Sequence, residues 1–383
     1  MIARQRILSI SPFVPLPFLH GGITRIHYLN KYLAARNRLV FAHRGATANA
    51  LPGFPAAALS TGSSRISQLV SPPFLHRCLR IVRRKKIDLI LANHIWSGLH
   101  GMVISKLTGV PLVFDDHNVE YVRFRRSGAR FWPAIRLLER AICTAAERVL
   151  CVSETDRDGL VRGLGIPDDR IQVIENGADI ANLRAPLPDR AASRRKLGLA
   201  ATESLLLFFG SFGYRPNVQA ARIILREIHP RLVRRGRKGR ILLVGAGLPA
   251  LPGMARTLDT PIPVEAPGFV DDLALYIKCA DVLLAPITSG SGTRLKILES
   301  LACGTPVVTT HLGAEGLDLA ACGGNLSMSD DWEEFTDRLI ATAHARPAPL
   351  PRAFEAKYDW RRIADRIEFP MRTTRTAREP VGV

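Results

Sequence analysis

Acid is scarce at the start of this sequence. Residues 1–114 hold 15 Lys and Arg against a single acid, Asp88, a net charge of 15 − 1 = +14; the remaining 269 residues carry 38 basic and 33 acidic side chains, a net +5. Cysteine is sparse as well. Cys78, Cys143, Cys151, Cys279, Cys303 and Cys322 show no CxxC and no metal-ligand spacing, which excludes a disulfide scaffold or zinc ribbon and fits small core residues in a reducing compartment. A long apolar run is missing: the longest uncharged stretch, residues 45–64, is full of Gly, Pro, Ser and Ala and cannot make a spanning helix. Arg4 and Arg6 precede an apolar run in the manner of a signal peptide, but Pro12, Pro15 and Pro17 interrupt it and no small-residue cleavage site follows. A cytoplasmic protein is therefore expected. There is no basic and aromatic interleaving typical of an RNA-binding surface, so no nucleic-acid partner is expected.

What is present is an ordinary soluble composition, 47% apolar and 23% charged, in a chain of 383 residues that is too long for one core and predicts two domains. The basic first third favours an acidic partner such as anionic lipid or an anionic acceptor. A generally arginine-rich surface that serves only solubility is the plain alternative.

Strand and helix patterns alternate along the chain. A strand at 6–10 is followed by a Pro-rich loop ending in Gly21-Gly22 and a helix over 23–35, with Ile23, Ile26, Leu29 and Leu33 on one face. A second strand at 39–43, a low-complexity connector over 44–64 and a helix over 74–86 come next. That helix ends in Arg83, Arg84, Lys85 and Lys86, which the helix dipole explains without any partner. The strand at 110–114 delivers Asp115, Asp116, His117, Asn118, Val119 and Glu120 at its carboxyl end, where open α/β sheets bind ligands. A buried histidine held by a carboxylate for structural reasons is the alternative there. Strands at 149–153 and 171–174 complete a parallel-sheet domain, and an Arg, Ala and Pro-rich segment over 185–196 reads as part of the boundary.

The pattern restarts with a strand at 205–210 and a helix over 218–235. The sequence GAGLPA at 245–250 matches a dinucleotide fingerprint, but Pro249, Pro252 and Gly253 break the helix it would have to open, and Glu265 lies in a loop-like context. Residues 289–310, SGSGTRLKILESLACGTPVVTT, read as a glycine loop, a helix over 294–303 with Thr293 as N-cap, and a strand over 307–310. Arg294 and Lys296 then lie in the first turn, the wrong end for cations unless an anion rests on the bare N–H groups. A solvated Lys296–Glu299 pair is the alternative. One turn in, Glu299 can accept hydrogen bonds from vicinal hydroxyls.

Gly21-Gly22, DDHNVE (115–120), CVSETD (151–156), IENGAD (174–179), GFVDD (268–272), ADVLLAP (280–286) and GSGTRLKILESLACGTPVVTT (290–310) together resemble the motifs of family 4 (group 1) glycosyltransferases. The resemblance covers nearly the whole chain. It implies an α/β architecture of two Rossmann-like parallel-sheet domains facing a central cleft (GT-B): an acceptor domain at 1–180 joined by the C-terminal helix 360–383, and a donor domain at 181–359. It also implies transfer of a sugar from a nucleotide-sugar donor to a glycan or lipid-linked hydroxyl with retention, no cofactor and no required metal, and peripheral contact with an anionic membrane. Carried onto this sequence, His117, Arg294, Lys296 and Glu299 are the implied catalytic set. Gly21, Gly22, Arg215, Phe269, Val270, Gly292 and Thr293 would bind the donor: glycines at the diphosphate or sugar, Phe269 and Val270 at the base. Two departures stand out. Ser291 occupies the position eight before Glu299 where the family often has Glu, and the basic residues that usually follow the first strand of the second domain are displaced, with Gly210 followed by Ser211 and the nearest cation at Arg215. Arg294 and Lys296 would then neutralise the diphosphate. A nucleotide-sugar epimerase on the same fold and a non-catalytic basic binding protein are the other readings.

Overall fold

The computed structural model describes residues 4–13, 21–44, 56–59, 71–185, 190–200, 203–290 and 292–370. They form two compact units. One comprises Met1–Pro15, Asn30–Ile174 and Asp365–Val383, the other Leu16–Leu29 and Glu175–Ala364.

The first unit is built on a parallel sheet of seven strands: β1 Arg6–Ser11, β2 Arg38–Arg44, β3 Ala56–Leu59, β4 Leu89–Asn93, β5 Leu112–Asp115, β6 Arg148–Cys151 and β7 Ile171–Val173, in the order β3-β2-β1-β4-β5-β6-β7. The central strands LILAN and LVFD are buried throughout, as continuous apolar runs must be when helices cover both faces of a sheet. Asn93 pins the centre, its amide donating to Ser9 Oγ at 2.9 Å and to the Ile10 carbonyl at 3.0 Å.

The second unit repeats the plan with six parallel strands: β8 Leu205–Phe209, β9 Arg240–Val244, β10 Val264–Gly268, β11 Val282–Ala285, β12 Val307–Thr309 and β13 Leu326–Met328, ordered β10-β9-β8-β11-β12-β13. Its core is Leu, Ile, Val and Phe from β8, β9, β11 and β12 with the helices packed on them.

Several expectations need correction. Gly21 and Gly22 are the first residues of the helix Gly21–Arg36, not the end of a loop; most of the Pro-rich loop lies outside the described residues. The connector over 44–64 contains the edge strand β3, paired with β2 from Phe41↔Ala56 to Arg44↔Leu59, a pairing that an alanine run hides because it carries no alternation. The segment over 185–196 folds into the helix Arg190–Lys196, where Arg194 is buried and its Nη1 donates to the Cys279 carbonyl at 2.6 Å. Glu265 lies on β10, beside the irregular register before Gly268. The helix expected over 218–235 is Arg215–Ile223, a π-helical turn Ile224–Ile228, and His229–Arg234. Pro230 accounts for the wide turn: it has no N–H to give the preceding turn and its ring pushes on that turn's carbonyl. The C-terminal helix is Trp360–Arg366, and residues 371–383 lie outside the described part.

GAGLPA opens no helix; the next helical residues are the 3-10 segment Ala255–Asp259. Its first glycine has a packing reason instead. A Cβ on Gly245 would stand 2.1 Å from the Gly210 carbonyl oxygen. Gly177 of IENGAD is small for a similar reason, since a Cβ there would meet the Tyr358 carbonyl oxygen at 2.5 Å, beside the parallel bridge Ala178↔Asp359.

Candidate functional site

In each sheet the strand order reverses once, between β1 and β4 and between β8 and β11. The carboxyl ends of strands at such a reversal are where open α/β sheets take ligands.

In the second unit, β8 runs into Gly210 and β11 leads through the glycine loop into the helix Leu295–Ala302. The N-cap is Arg294, at φ −83° and ψ 95°, rather than Thr293, and no side chain among the described residues caps the helix. Released from capping, Thr293 Oγ1 is buried without a hydrogen-bond partner among the described residues. Arg294 Nη1 donates back to the Gly292 carbonyl at 2.8 Å, and Gly292 takes φ +80°, a turn open to glycine at low cost.

Lys296 does not form the solvated pair with Glu299. Its Nζ donates to Asn217 Oδ1 at 2.8 Å and lies 4.0 Å from the centroid of the Phe208 ring. The Asn217 amide in turn donates to the Ser211 carbonyl at 2.7 Å. This network holds the ammonium at the carboxyl end of β8. A Cβ on Gly210 would meet Asn217 Nδ2 at 2.8 Å and Lys296 Nζ at 3.1 Å, so the glycine leaves room for the cation. Burial pushes the Lys296 ammonium down to about 7, with Arg294 adding to the effect and Glu299 opposing it. Burial likewise pushes the Glu299 carboxyl up to about 7, against the pull of Lys296. Cation and carboxylate are therefore both poised near neutrality, a condition found where groups await a charged ligand.

The remaining predicted donor residues fall into place unevenly. Gly21 lies against this helix: a Cβ there would meet Leu295 Cδ1 at 3.2 Å. Gly22 follows it in the same first turn. Phe269 is 65% exposed just after β10, while Val270 packs on the core. Arg215 opens the helix Arg215–Ile223 and is exposed; the residue of that helix that reaches Lys296 is Asn217, which sequence reasoning passed over. Ser291 lies outside the described residues.

In the first unit, β5 delivers its DDHNVE run as three different environments. Asp115 is fully buried and its Oδ2 stands 3.0 Å from His117 Nε2. With Nε2–H given to the carboxylate, Nδ1 carries the lone pair, and it has no partner among the described residues. Asp116 faces the core, both oxygens buried and without hydrogen bonds among the described residues. Burial above all, then Glu139, holds its carboxyl well above the usual range. Glu139 accepts from the N–H groups of Glu120 at 2.6 Å and Tyr121 at 3.0 Å, and burial raises it to about 8. It caps the helix Glu120–Arg126 from a neighbouring helix, a structural task.

His94, which the sequence analysis left unassigned, joins His117. Their rings meet edge to face at 5.5 Å, and His94 Nε2 lies 3.5 Å from Glu120 Oε1. His94 has φ +70° and ψ 151°, a strained conformation for a residue with a Cβ and one that marks functional positions. Its Nδ1 accepts from the Trp96 N–H at 3.4 Å, capping the helix Ile95–Thr108.

Residues 20–182 match the model of Glycosyltransferase Family 4, and residues 203–344 that of Glycosyl transferases group 1. A D-inositol 3-phosphate glycosyltransferase of Saccharomonospora viridis is 30% identical over 305 residues, 73% of this chain and 68% of that relative. The chain belongs to the family 4 (group 1) glycosyltransferases. A relative of the same description from Thermobispora bispora is 31% identical over 243 residues, and there the match covers 58% of this chain and 55% of the relative, little more than half its length. Among solved structures, Anabaena HepE in complex with UDP-glucose superposes with a TM-score of 0.68 at 18% identity, covering 94% of this chain and 98% of that one. The family 4 chain thus has the GT-B pair of Rossmann-like units. No helix among its described residues is long and apolar enough to cross a membrane.

Proposed function

We propose that this chain transfers a sugar, with retention, from a nucleotide-sugar donor to a hydroxyl of a glycan or lipid-linked acceptor. The observation that carries the reading is the cluster at the β8–β11 reversal: helix N–H groups that no side chain among the described residues caps, the Thr293 hydroxyl without a partner among those residues, Lys296 held at Gly210, and Glu299 one turn further on. On this reading the diphosphate lies on Gly292, Thr293 and the helix N-terminus. Arg294 and Lys296 neutralise the charge that grows on its oxygens as the sugar departs, so no metal is required. Glu299 takes the ribose hydroxyls, Phe269 and Val270 flank the base, and the backbone of Gly21 and Gly22 admits the diphosphate or sugar. His117 presents Nδ1 to a hydroxyl of the donor sugar. Lys296, from the helix Leu295–Ala302, does here what the displaced Arg215 after β8 does not.

Thermal melts with UDP, GDP, ADP and TDP, with UDP tried first because HepE was solved with UDP-glucose, test the assignment. One nucleotide is expected to raise the melting temperature by a few degrees, since ligand at about 100 times its Kd adds about 2.7 kcal/mol to the folded state. Glu299→Ala should abolish the rise. A rise with NAD alone, or none with any nucleotide, would sink the reading.

Charge poise gives a second expectation. Diphosphate beside Lys296 favours the ammonium and lifts its pKa, so binding takes up a proton wherever the empty site is already neutral, above about pH 7. At pH 8 a group of pKa about 7 is about nine-tenths neutral, and uptake approaches one proton; below pH 6 it vanishes, because the ammonium is already formed. Glu299, near 7 itself, is almost fully ionised at pH 8 and contributes little there. Calorimetry in phosphate and in Tris reads the uptake directly. Equal binding heats in the two buffers at pH 8 would refute it.

A lipid-linked acceptor would bring the basic first 114 residues against an anionic membrane; the chain should then float with anionic vesicles at low salt, and no binding there would end that part of the reading.

A further inference from the structure

The helix Arg215–Ile223 is tied to the glycine loop of the second unit at three points. Asn217 holds Lys296, and Ser289 Oγ donates to Gln219 Oε1 at 2.8 Å. The third tie is Tyr214, the N-cap of that helix, whose hydroxyl reaches Gly290. A Cβ on Gly290 would stand 2.8 Å from the Tyr214 oxygen, 3.5 Å from Pro216 Cγ and 3.6 Å from Arg294 Nη2. The phenol oxygen and the Arg294 guanidinium therefore border the same point of the loop. Tyr214 is also firmly placed. Phe212, two residues earlier, is buried with its ring centroid 6.0 Å from that of Phe208, and its N–H donates to the Ala246 carbonyl at 2.9 Å. The Tyr214 N–H donates to the Ser211 carbonyl at 3.2 Å, and the Tyr214 carbonyl accepts from the Asn217 N–H at 2.9 Å.

Packing does not account for the hydroxyl. Tyr214 is 43% exposed and its O–H forms no hydrogen bond among the described residues; a phenylalanine would cover Gly290 as well. An O–H presented beside a guanidinium suits an anionic oxygen, which accepts from both. We propose that Tyr214 is a further donor-binding residue, its hydroxyl donating to the phosphate farther from the ribose, the one on which charge grows as the sugar leaves. The inference rests on the transferase reading above and names a residue of that same site. Its direction follows from the order of the loop: Glu299 marks the ribose end, and along the chain Gly290 lies beyond Gly292 and Thr293 from it. The O–H gives a hydrogen bond and keeps its proton, so the transfer itself is unchanged.

Calorimetry on the full chain compares Tyr214→Phe with wild type, using whichever of UDP, GDP, ADP and TDP stabilises the fold, the matching monophosphate, and inorganic pyrophosphate. The variant should bind the diphosphate and pyrophosphate about tenfold more weakly, bind the monophosphate as wild type does, and melt unchanged when empty. Turnover at saturating donor should fall about 10- to 100-fold, because the hydrogen bond strengthens as charge develops on its acceptor. Equal binding of the diphosphate and pyrophosphate by the two proteins would overturn the role. An equal loss for the monophosphate would overturn it too, showing that the phenol only shapes the loop. A wild type that binds pyrophosphate through Tyr214 but no nucleotide would keep the phosphate contact and sink the transferase reading; one that binds neither would sink both.

Discussion

Lys296→Met is expected to lower turnover at saturating donor by about 10²- to 10³-fold, the usual cost of removing a fixed charge or donor from a developing anion. Methionine keeps the unbranched stem over Phe208 and removes only the ammonium, so the loss should not pass through unfolding. The effect should fall mainly on turnover, because the charge on the leaving oxygens is largest in the transition state. Binding of the matching nucleoside diphosphate should weaken less, and the proton taken up at pH 8 should disappear. Turnover close to wild type would show that the lysine is structural and that the diphosphate is neutralised elsewhere.

His117→Ala should cut turnover by about 10²-fold, the scale on which a misplaced reacting centre is penalised, while nucleoside diphosphate still raises the melting temperature as in wild type. The contrast arises because His117 and the nucleotide cluster belong to different units of the chain. Asp115→Asn should be milder, about tenfold: an amide oxygen still accepts from Nε2–H and keeps the tautomer, but the charge-assisted part of that bond is gone. A His117→Ala enzyme with ordinary turnover would leave the histidine as a buried, carboxylate-held core residue, the plain alternative for a ring so well enclosed.

Strands with a single physical signature were legible in the sequence. β11 and β5 are apolar runs bounded by turn residues, and only a parallel sheet covered on both faces accommodates them. β3 was invisible because Ala56–Leu59 has neither alternation nor β-branching. The helix Arg190–Lys196 was hidden by its composition, and its reason for existing, Arg194 reaching the carbonyl of Cys279 some 85 residues away, is tertiary. At the site, Arg294 and Lys296 were conspicuous because cations at a helix start ask for an explanation. What could not be read was direction. Lys296 turns to Asn217 instead of Glu299, a choice settled by the space Gly210 leaves 86 residues earlier. Asp116 and Asp115 are adjacent and alike on paper, and strand alternation sends one to the histidine and the other to the core. His94 carried one available signal, its place directly after β4 beside the strand-order reversal.

The Lys296 pocket also has a temporal side. On the proposed reading, above pH 7 most empty pockets carry a neutral Lys296 and offer little to chloride or stray phosphate. The same arrangement would tie departure to deprotonation there: spent nucleotide would leave behind a cation that the buried site does not favour. Acidification should therefore lengthen the residence of the product even where it leaves the chemical step untouched, and the slow event of the cycle would shift from bond breaking to letting go.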